Sequence, residues 1–168
     1  MYLSNKIEDY KKIGLQEILG PDAAAGFPQI KEVSPGDAFI HGILIRAGRA
    51  GFHYWLMHEG DSLEKANPDF RLSPIKTKIH TGLQHLCRSL STEKKYKIEF
   101  TDHDNRWELA MIASGRLGIS PHECSFLSGF VQEFASWAGM GKLYQVRGKG
   151  CEYYPAQCSI FIEKEPVE

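Results

Sequence analysis

Apolar positions in the first half of the chain recur mainly at helical spacing. Over residues 5–19, Ile7, Tyr10 and Ile18 lie on one helical face, and Gly20-Pro21 ends the segment. A short second helix is predicted over residues 23–27. Ser73-Pro74 supplies a cap residue and a first-turn proline for a further helix that runs to residue 90. The apolar stripe of that helix consists of Ile75, Ile79, Leu83, Leu86 and Leu90.

The secondary structure of the segment between these helices has two interpretations. Phe39 to Ile45 is apolar and β-branched enough for a buried strand, and it also suits the start of a helix. The glycine-containing segment Arg46 to Gly51 follows. Helix is predicted to resume over Phe52 to Met57.

Alternating strands and one strong helix signal characterise the second half. Strands are predicted over residues 96–100 and 107–112, on either side of a polar turn at 102–105. Ser120-Pro121-His122-Glu123 has the pattern of a capping box with proline at the first helical position, and the helix ends near Gly139. Final strands are predicted over residues 143–146 and 159–162. The sequence therefore predicts a single α+β domain over residues 1–168, with helices packed around a small antiparallel sheet.

Composition narrows the function classes. The chain has 168 residues, and 20 lysines and arginines against 21 acidic residues give a net charge of −1. Such a balance favours neither a nucleic-acid partner nor an anionic membrane surface. No apolar run is long enough for a transmembrane segment, and the first residues do not resemble a signal peptide. Four cysteines without an export signal predict reduced thiols in a cytoplasmic protein.

Three of the cysteines are candidate metal ligands. Cys124 lies in the predicted helix, whereas Cys151 and Cys158 bracket a proline-containing turn. Thiolates are preferred zinc ligands, and His122 or Glu123 could complete a tetrahedral site. The compact Cys-x2-Cys pairs of zinc fingers are absent, however, and buried cysteines also serve as small apolar side chains. Cys87 is interpreted as such a packing residue.

A resemblance to a known family extends over most of the chain. The residues that carry it in the last third are Cys124, Gly129, Trp137, Gly139, Cys151 and Cys158 to Phe161. Ile18 to Gly20, Ile45 to Gly51 and Asp69 to Arg71 carry it upstream. These segments resemble the 4-vinyl reductase domain, whose members are also described as hydrocarbon-binding proteins.

The resemblance implies a ligand-binding fold and a structural zinc. In sensors of aromatic compounds that contain this domain, a helical cysteine, a strand glutamate and two later cysteines bind zinc. The resemblance implies that the three cysteine ligands correspond to Cys124, Cys151 and Cys158 in this chain. Gly148 stands where the glutamate is expected, so either the fourth ligand is His122, Glu152 or water, or the site has lost its metal.

The resemblance also suggests functions of different classes. The first is an accessory protein that binds a hydrophobic or tetrapyrrole-like molecule, in pigment metabolism or photosynthetic assembly. The second is a subunit of a (bacterio)chlorophyll vinyl reductase that needs an external electron donor. The third is a homodimeric interaction module. The partners implied are a small apolar ligand, a second copy of the chain and photosynthetic assembly proteins.

Aromatic and basic residues supply the candidate ligand site. An apolar cavity would be lined by Tyr54, Trp55, Phe130, Phe134 and Trp137, and Arg46 and Arg49 would meet a carboxylate or propionate. The alternative is that the aromatic side chains fill the core and that the arginines are solvated. No dinucleotide fingerprint, nucleophile elbow or P-loop is present, so direct catalysis is poorly supported and no catalytic residue is assigned.

Overall fold

The computed structural model describes residues 6–27, 38–92, 95–114, 119–149 and 157–168. Its helices are α1 (Lys6–Leu19), α2 (Pro21–Ala25), α3 (Ala38–Ala66), α4 (Ile75–Leu90) and α5 (Pro121–Ala138), with a 3-10 turn at Phe70–Leu72. Its strands are β1 (Tyr96–Asp102), β2 (Arg106–Ala113), β3 (Tyr144–Lys149) and β4 (Gln157–Pro166). The turn predicted at residues 34–37 lies outside the described residues.

Helix α3 resolves the ambiguous segment in favour of one continuous helix. It runs for 29 residues through Gly42, Gly48 and Gly51 without a break. Two of these glycines allow other segments to approach α3 closely. A Cβ on Gly48 would lie 2.1 Å from the carbonyl oxygen of Phe126 in α5, and a Cβ on Gly51 would meet the Phe126 ring. The glycines that suggested a loop are therefore packing positions of a helix.

Helix α5 is the central element. Its N-terminus forms the predicted capping box, because the Ser120 hydroxyl accepts a hydrogen bond from the His122 amide and the Glu123 carboxylate accepts one from the Ser120 amide. Its residues are buried on almost every side, since α3 covers one face and the sheet covers another. The predicted cap of α4 differs from the structure. The Ser73 hydroxyl donates to the carbonyl of Asp69, and Pro74 occupies the N-cap position.

The four strands form one antiparallel sheet in the order β1-β2-β4-β3. Side chains alternate along β2, where Trp107, Leu109 and Met111 face the core. In β4, Cys158 and Ile160 face the same way. The predicted α+β class is confirmed.

The core between α3, α4 and α5 is filled by aromatic rings. The Phe52 ring lies 5.6 to 6.0 Å, centroid to centroid, from the rings of Trp55, Phe130, Phe134 and Trp137. These distances are those of direct ring packing. Among the described residues, no helix is long and apolar enough to cross a membrane.

Candidate functional site

A cavity of about 410 Å³ lies between α1, α2 and the beginning of α5. Its apolar lining comes from Leu15, Pro21, Ala24, Ala25, Phe27 and Leu44, and its polar lining from Glu8, Lys11, Lys12, Gln16, Lys95, His122 and Glu123. Leu15 and Leu44 are buried and form an aliphatic floor, and His122 and Glu123 are the buried polar residues of the lining. The cavity is thus apolar on one part of its wall and charged on another.

His122 is the histidine in the described lining of this cavity. Its side chain follows Pro121 in the first turn of α5 and is only 8% exposed. The Phe27 ring packs edge-on against it at a centroid distance of 6.0 Å. Within the described part of the chain, the ring nitrogens form no hydrogen bond. Burial, and then the nearby Lys11 charge, lower the pKa of His122, so the ring is neutral at pH 7 and offers one donor and one acceptor.

Two ion pairs border the cavity. The Lys95 ammonium lies 3.1 Å from the carboxylate of Glu123, which also caps α5. The Lys11 ammonium lies 3.0 Å from the carboxylate of Glu8, one turn earlier in α1. Lys12 adds a third ammonium at the exposed rim. The lining therefore carries three lysines and two glutamates.

The predicted aromatic ligand residues lie elsewhere. Phe130 and Phe134 are fully buried in the aromatic core, and the Trp55 indole N–H donates to the Ser89 hydroxyl at 3.1 Å. The Tyr54 hydroxyl donates to Glu17, also at 3.1 Å. Trp137 is 37% exposed and stacks on Phe70. None of these five side chains lines the cavity, and their role in ligand binding stays a prediction.

The two predicted arginines are on the surface of α3. Arg46 is exposed, and Arg49 donates to the side-chain oxygen of Gln132 at 2.7 Å. They are not part of the cavity lining. Their proposed contact with a carboxylate or propionate likewise stays a prediction.

Two of the three predicted cysteine ligands, Cys124 and Cys158, do not form the expected zinc site. Cys124 and Cys158 are joined by a disulfide that links the first turns of α5 to the beginning of β4, with the two Cα atoms 6.5 Å apart. The disulfide also differs from the reduced thiols expected from the sequence. Cys151 lies outside the described residues, and Gly148 is paired with Ile160 in the sheet.

No group of three or more histidine, cysteine or acidic side chains in the described ranges is placed to hold a metal ion. The prediction of zinc is corrected accordingly, because sulfurs bonded to each other are not available as thiolate ligands. Cys87 is buried in α4, as its interpretation as a packing residue requires.

The fold is similar to that of H-NOX domains. The H-NOX domain from Shewanella oneidensis in its Fe(II)CO ligation state is 13% identical, with a TM-score of 0.50, 96% of this chain covered and 98% of the other. An oxygen-binding H-NOX domain related to soluble guanylate cyclases is 11% identical, with a TM-score of 0.50 and coverage of 99% and 97%. An unliganded Fe(II) H-NOX variant from K. algicida is 10% identical, with a TM-score of 0.52 and the same coverage. At such low identity the likeness establishes the fold alone.

The sequence comparisons find no relatives. No protein-family model matches this chain, and no curated protein matches it. The identification with the 4-vinyl reductase domain is therefore wrong, since the similar structures are H-NOX domains. The expectations of photosynthetic assembly and vinyl reduction depended on that identification and are withdrawn with it. Among the residues that carried the resemblance, Gly48, Gly51 and Gly129 are explained by helix packing, and Cys124 and Cys158 by the disulfide.

Most of the cavity was missed at the level of sequence. Lys11 and Lys95 are separated by more than eighty residues, and no local pattern connects them. The capping box was the one available signal, because it places His122 and Glu123 together in the first turn of a helix.

Proposed function

We propose that this protein is a small-molecule-binding domain whose ligand occupies the cavity between α1, α2 and α5. The observation that carries the proposal is a cavity with a buried apolar floor and a buried imidazole. Within the described residues the imidazole nitrogens form no hydrogen bond and open onto the cavity, so a ligand there can donate to or accept from His122. No reaction is assigned to the site.

The size of the cavity and the fold support this proposal. A volume of about 410 Å³ lies in the range of roughly 300 to 1,000 Å³ that small-molecule sites occupy. An apolar wall with a few convergent polar groups is the usual composition of such sites. The fold is shared with domains described as binding oxygen or carbon monoxide.

The H-NOX neighbours bind heme, and the described cavity does not fit one. A heme needs an extended apolar slot, whereas lysines and glutamates border this cavity. The apolar interior between α3 and α5 is filled by Phe52, Trp55 and Phe130, and the helix backbones touch at Gly48. We therefore derive no heme chemistry for this chain, and tetrapyrrole binding remains a prediction that hemin titration tests.

A pair of phenylalanine substitutions in α2 tests the proposal. Ala24 lines the cavity, whereas its neighbour Ala23 is exposed and does not. We expect the neutral fluorophore 1-aminoanthracene to bind the wild-type protein at one site. Ala24→Phe should weaken that binding at least tenfold because the new ring fills the cavity, and Ala23→Phe should leave it unchanged.

Equal binding by the wild type and Ala24→Phe would contradict the proposed site. Circular dichroism of both variants shows that the fold is intact. A parallel titration with hemin, read by its Soret absorbance, decides the tetrapyrrole prediction. The predicted homodimer is a separate question, which multi-angle light scattering answers.

A further inference from the structure

We infer that the cavity binds a small amphipathic carboxylic acid, with its carboxylate between Lys11 and His122 and its hydrocarbon body against Leu15, Leu44 and Phe27. This inference rests on the proposed function and names the chemical class of the ligand.

The charge of the lining favours a monoanion. Lys95 and Glu123 lie 3.1 Å apart and balance each other, with the Glu123 side chain almost fully buried. Among the described lining residues, Lys11 and Lys12 are accompanied by one further carboxylate, that of Glu8. One positive charge is therefore left in excess, and a single carboxylate neutralises it.

Lys11 is the ammonium best placed for the contact. Its side chain is only 14% exposed, whereas that of its partner Glu8 is 48% exposed. Exposed ion pairs contribute little, because water and salt screen them and the side chains keep their mobility. A ligand carboxylate inside the cavity would receive charge-assisted hydrogen bonding from Lys11 together with a hydrogen bond from His122, and these two contacts offset the cost of removing it from water.

His122 and the N-terminal end of α5 provide a second contact for the ligand carboxylate. The neutral imidazole has one N–H to donate, and within the described residues that N–H has no acceptor. The ring also lies at the N-terminal end of an 18-residue helix, where the macrodipole favours negative charge. A carboxylate oxygen on His122 thus gains both a hydrogen bond and a favourable field.

The remaining lining fits a hydrocarbon body. Leu15 and Leu44 form a buried aliphatic floor, and Phe27 and Ala24 form the adjoining wall. Covering this surface with a ligand removes apolar area from water and stabilises the complex. A polyanion such as a nucleotide would need more positive charges than the described lining provides, and it would leave the aliphatic floor uncovered.

Matched pairs of ligands test the charge without changing the protein. Octanoate and octanamide have the same hydrocarbon chain, and benzoate and benzamide have the same ring. Isothermal titration calorimetry of the wild-type protein should show that at least one carboxylate binds ten times or more tightly than its amide. The charge-assisted contact with Lys11, compared with a neutral one, accounts for a difference of that order.

Three variants locate the contact. Lys11→Gln should weaken binding of the preferred carboxylate about tenfold and leave binding of its amide nearly unchanged. His122→Phe should weaken it as well. Lys97→Gln removes the same charge from an exposed position on β1, away from the cavity, and should have no effect.

Equal affinities for acid and amide would overturn the inference, as would failure of all four compounds to bind. The binding of 1-aminoanthracene and its loss in Ala24→Phe would still establish the small-molecule site in that case. The comparison of ligand pairs needs no variant, so the inference can be refuted even if Lys11→Gln or His122→Phe does not fold.

Discussion

At the level of single residues, two neighbouring buried groups in α5 have different roles. Glu123 is satisfied within the protein, since its carboxylate caps the helix and pairs with Lys95. His122 has a buried ring without a hydrogen-bond partner among the described residues. Its ring nitrogens open onto the cavity, so water or a ligand there supplies their hydrogen bonds. The difference between these adjacent side chains makes His122 the candidate ligand contact.

Cys87 should be unreactive in the folded protein. Burial in α4 raises the pKa of its thiol to about 12, so almost no thiolate is present at neutral pH. We expect iodoacetamide to leave Cys87 unmodified under native conditions at pH 7.5 and to modify it after unfolding in guanidinium. Peptide mass spectrometry measures both states. Rapid labelling of Cys87 in the native protein would show that α4 does not bury it.

At the level of elements, the contact between α3 and α5 depends on small residues. Gly48 of α3 touches the backbone of α5, and Gly129 of α5 touches the backbone of α3 at Ile45. A Cβ at Gly129 would lie 2.0 Å from the Ile45 carbonyl oxygen, far inside van der Waals contact. The two helices can approach this closely only because neither has a side chain at the crossing.

Alanine substitutions at two glycines of α3 should therefore have opposite effects. Gly48→Ala forces the helices apart, and we expect it to lower the free energy of unfolding by about 3 kcal/mol or more. Gly42→Ala meets nothing within 4 Å and removes a flexible glycine from a helix. It should raise the free energy of unfolding by about 0.5 to 1 kcal/mol. Urea denaturation measures both changes, and destabilisation by Gly42→Ala comparable to that by Gly48→Ala would contradict the packing described.

At the level of the whole molecule, a charged cluster connects two strands of the sheet to helix α4. Asp102 at the end of β1 lies 2.5 Å from the Lys164 ammonium on β4 and 2.9 Å from the His80 ring on α4. The Lys164 contact above all lowers the pKa of Asp102 below its usual value. The carboxylate is partly exposed, so screening limits its contribution to stability.

This cluster predicts the sign of one pH effect. Because the pKa of Asp102 is lower in the folded than in the unfolded state, its stabilising effect is present at neutral pH and is lost as the pH falls below about 4. Asp102→Asn should therefore be less stable than the wild type at pH 7, by a margin that shrinks towards pH 3. Asp104→Asn, which removes the same charge from the adjacent turn, is the matched control. Urea midpoints between pH 3 and pH 7 give the comparison, and a margin that widens on acidification would refute the assignment.

The sequence predicted local features well and the site poorly. The capping box at Ser120, the alternation over residues 96–100 in β1 and the α+β class are confirmed because each follows from the chemistry of neighbouring residues. The glycine-rich part of α3 had two readings, since a glycine that breaks a helix and one that packs against a helix look alike in sequence. The zinc prediction failed because spacing along the chain does not specify how sulfurs meet in space.

By itself, the sequence determined where most helices and strands form, because periodicity, caps and turns act over a few residues. It also determined that the chain has enough apolar side chains for a core, since 42% of its residues are hydrophobic and 24% are charged. Only the tertiary structure decided that α1 and α2 leave a cavity against the first turn of α5. That arrangement brings Lys11 and His122 to one cavity from elements more than a hundred residues apart. Such convergence follows from long-range packing, which no local pattern encodes.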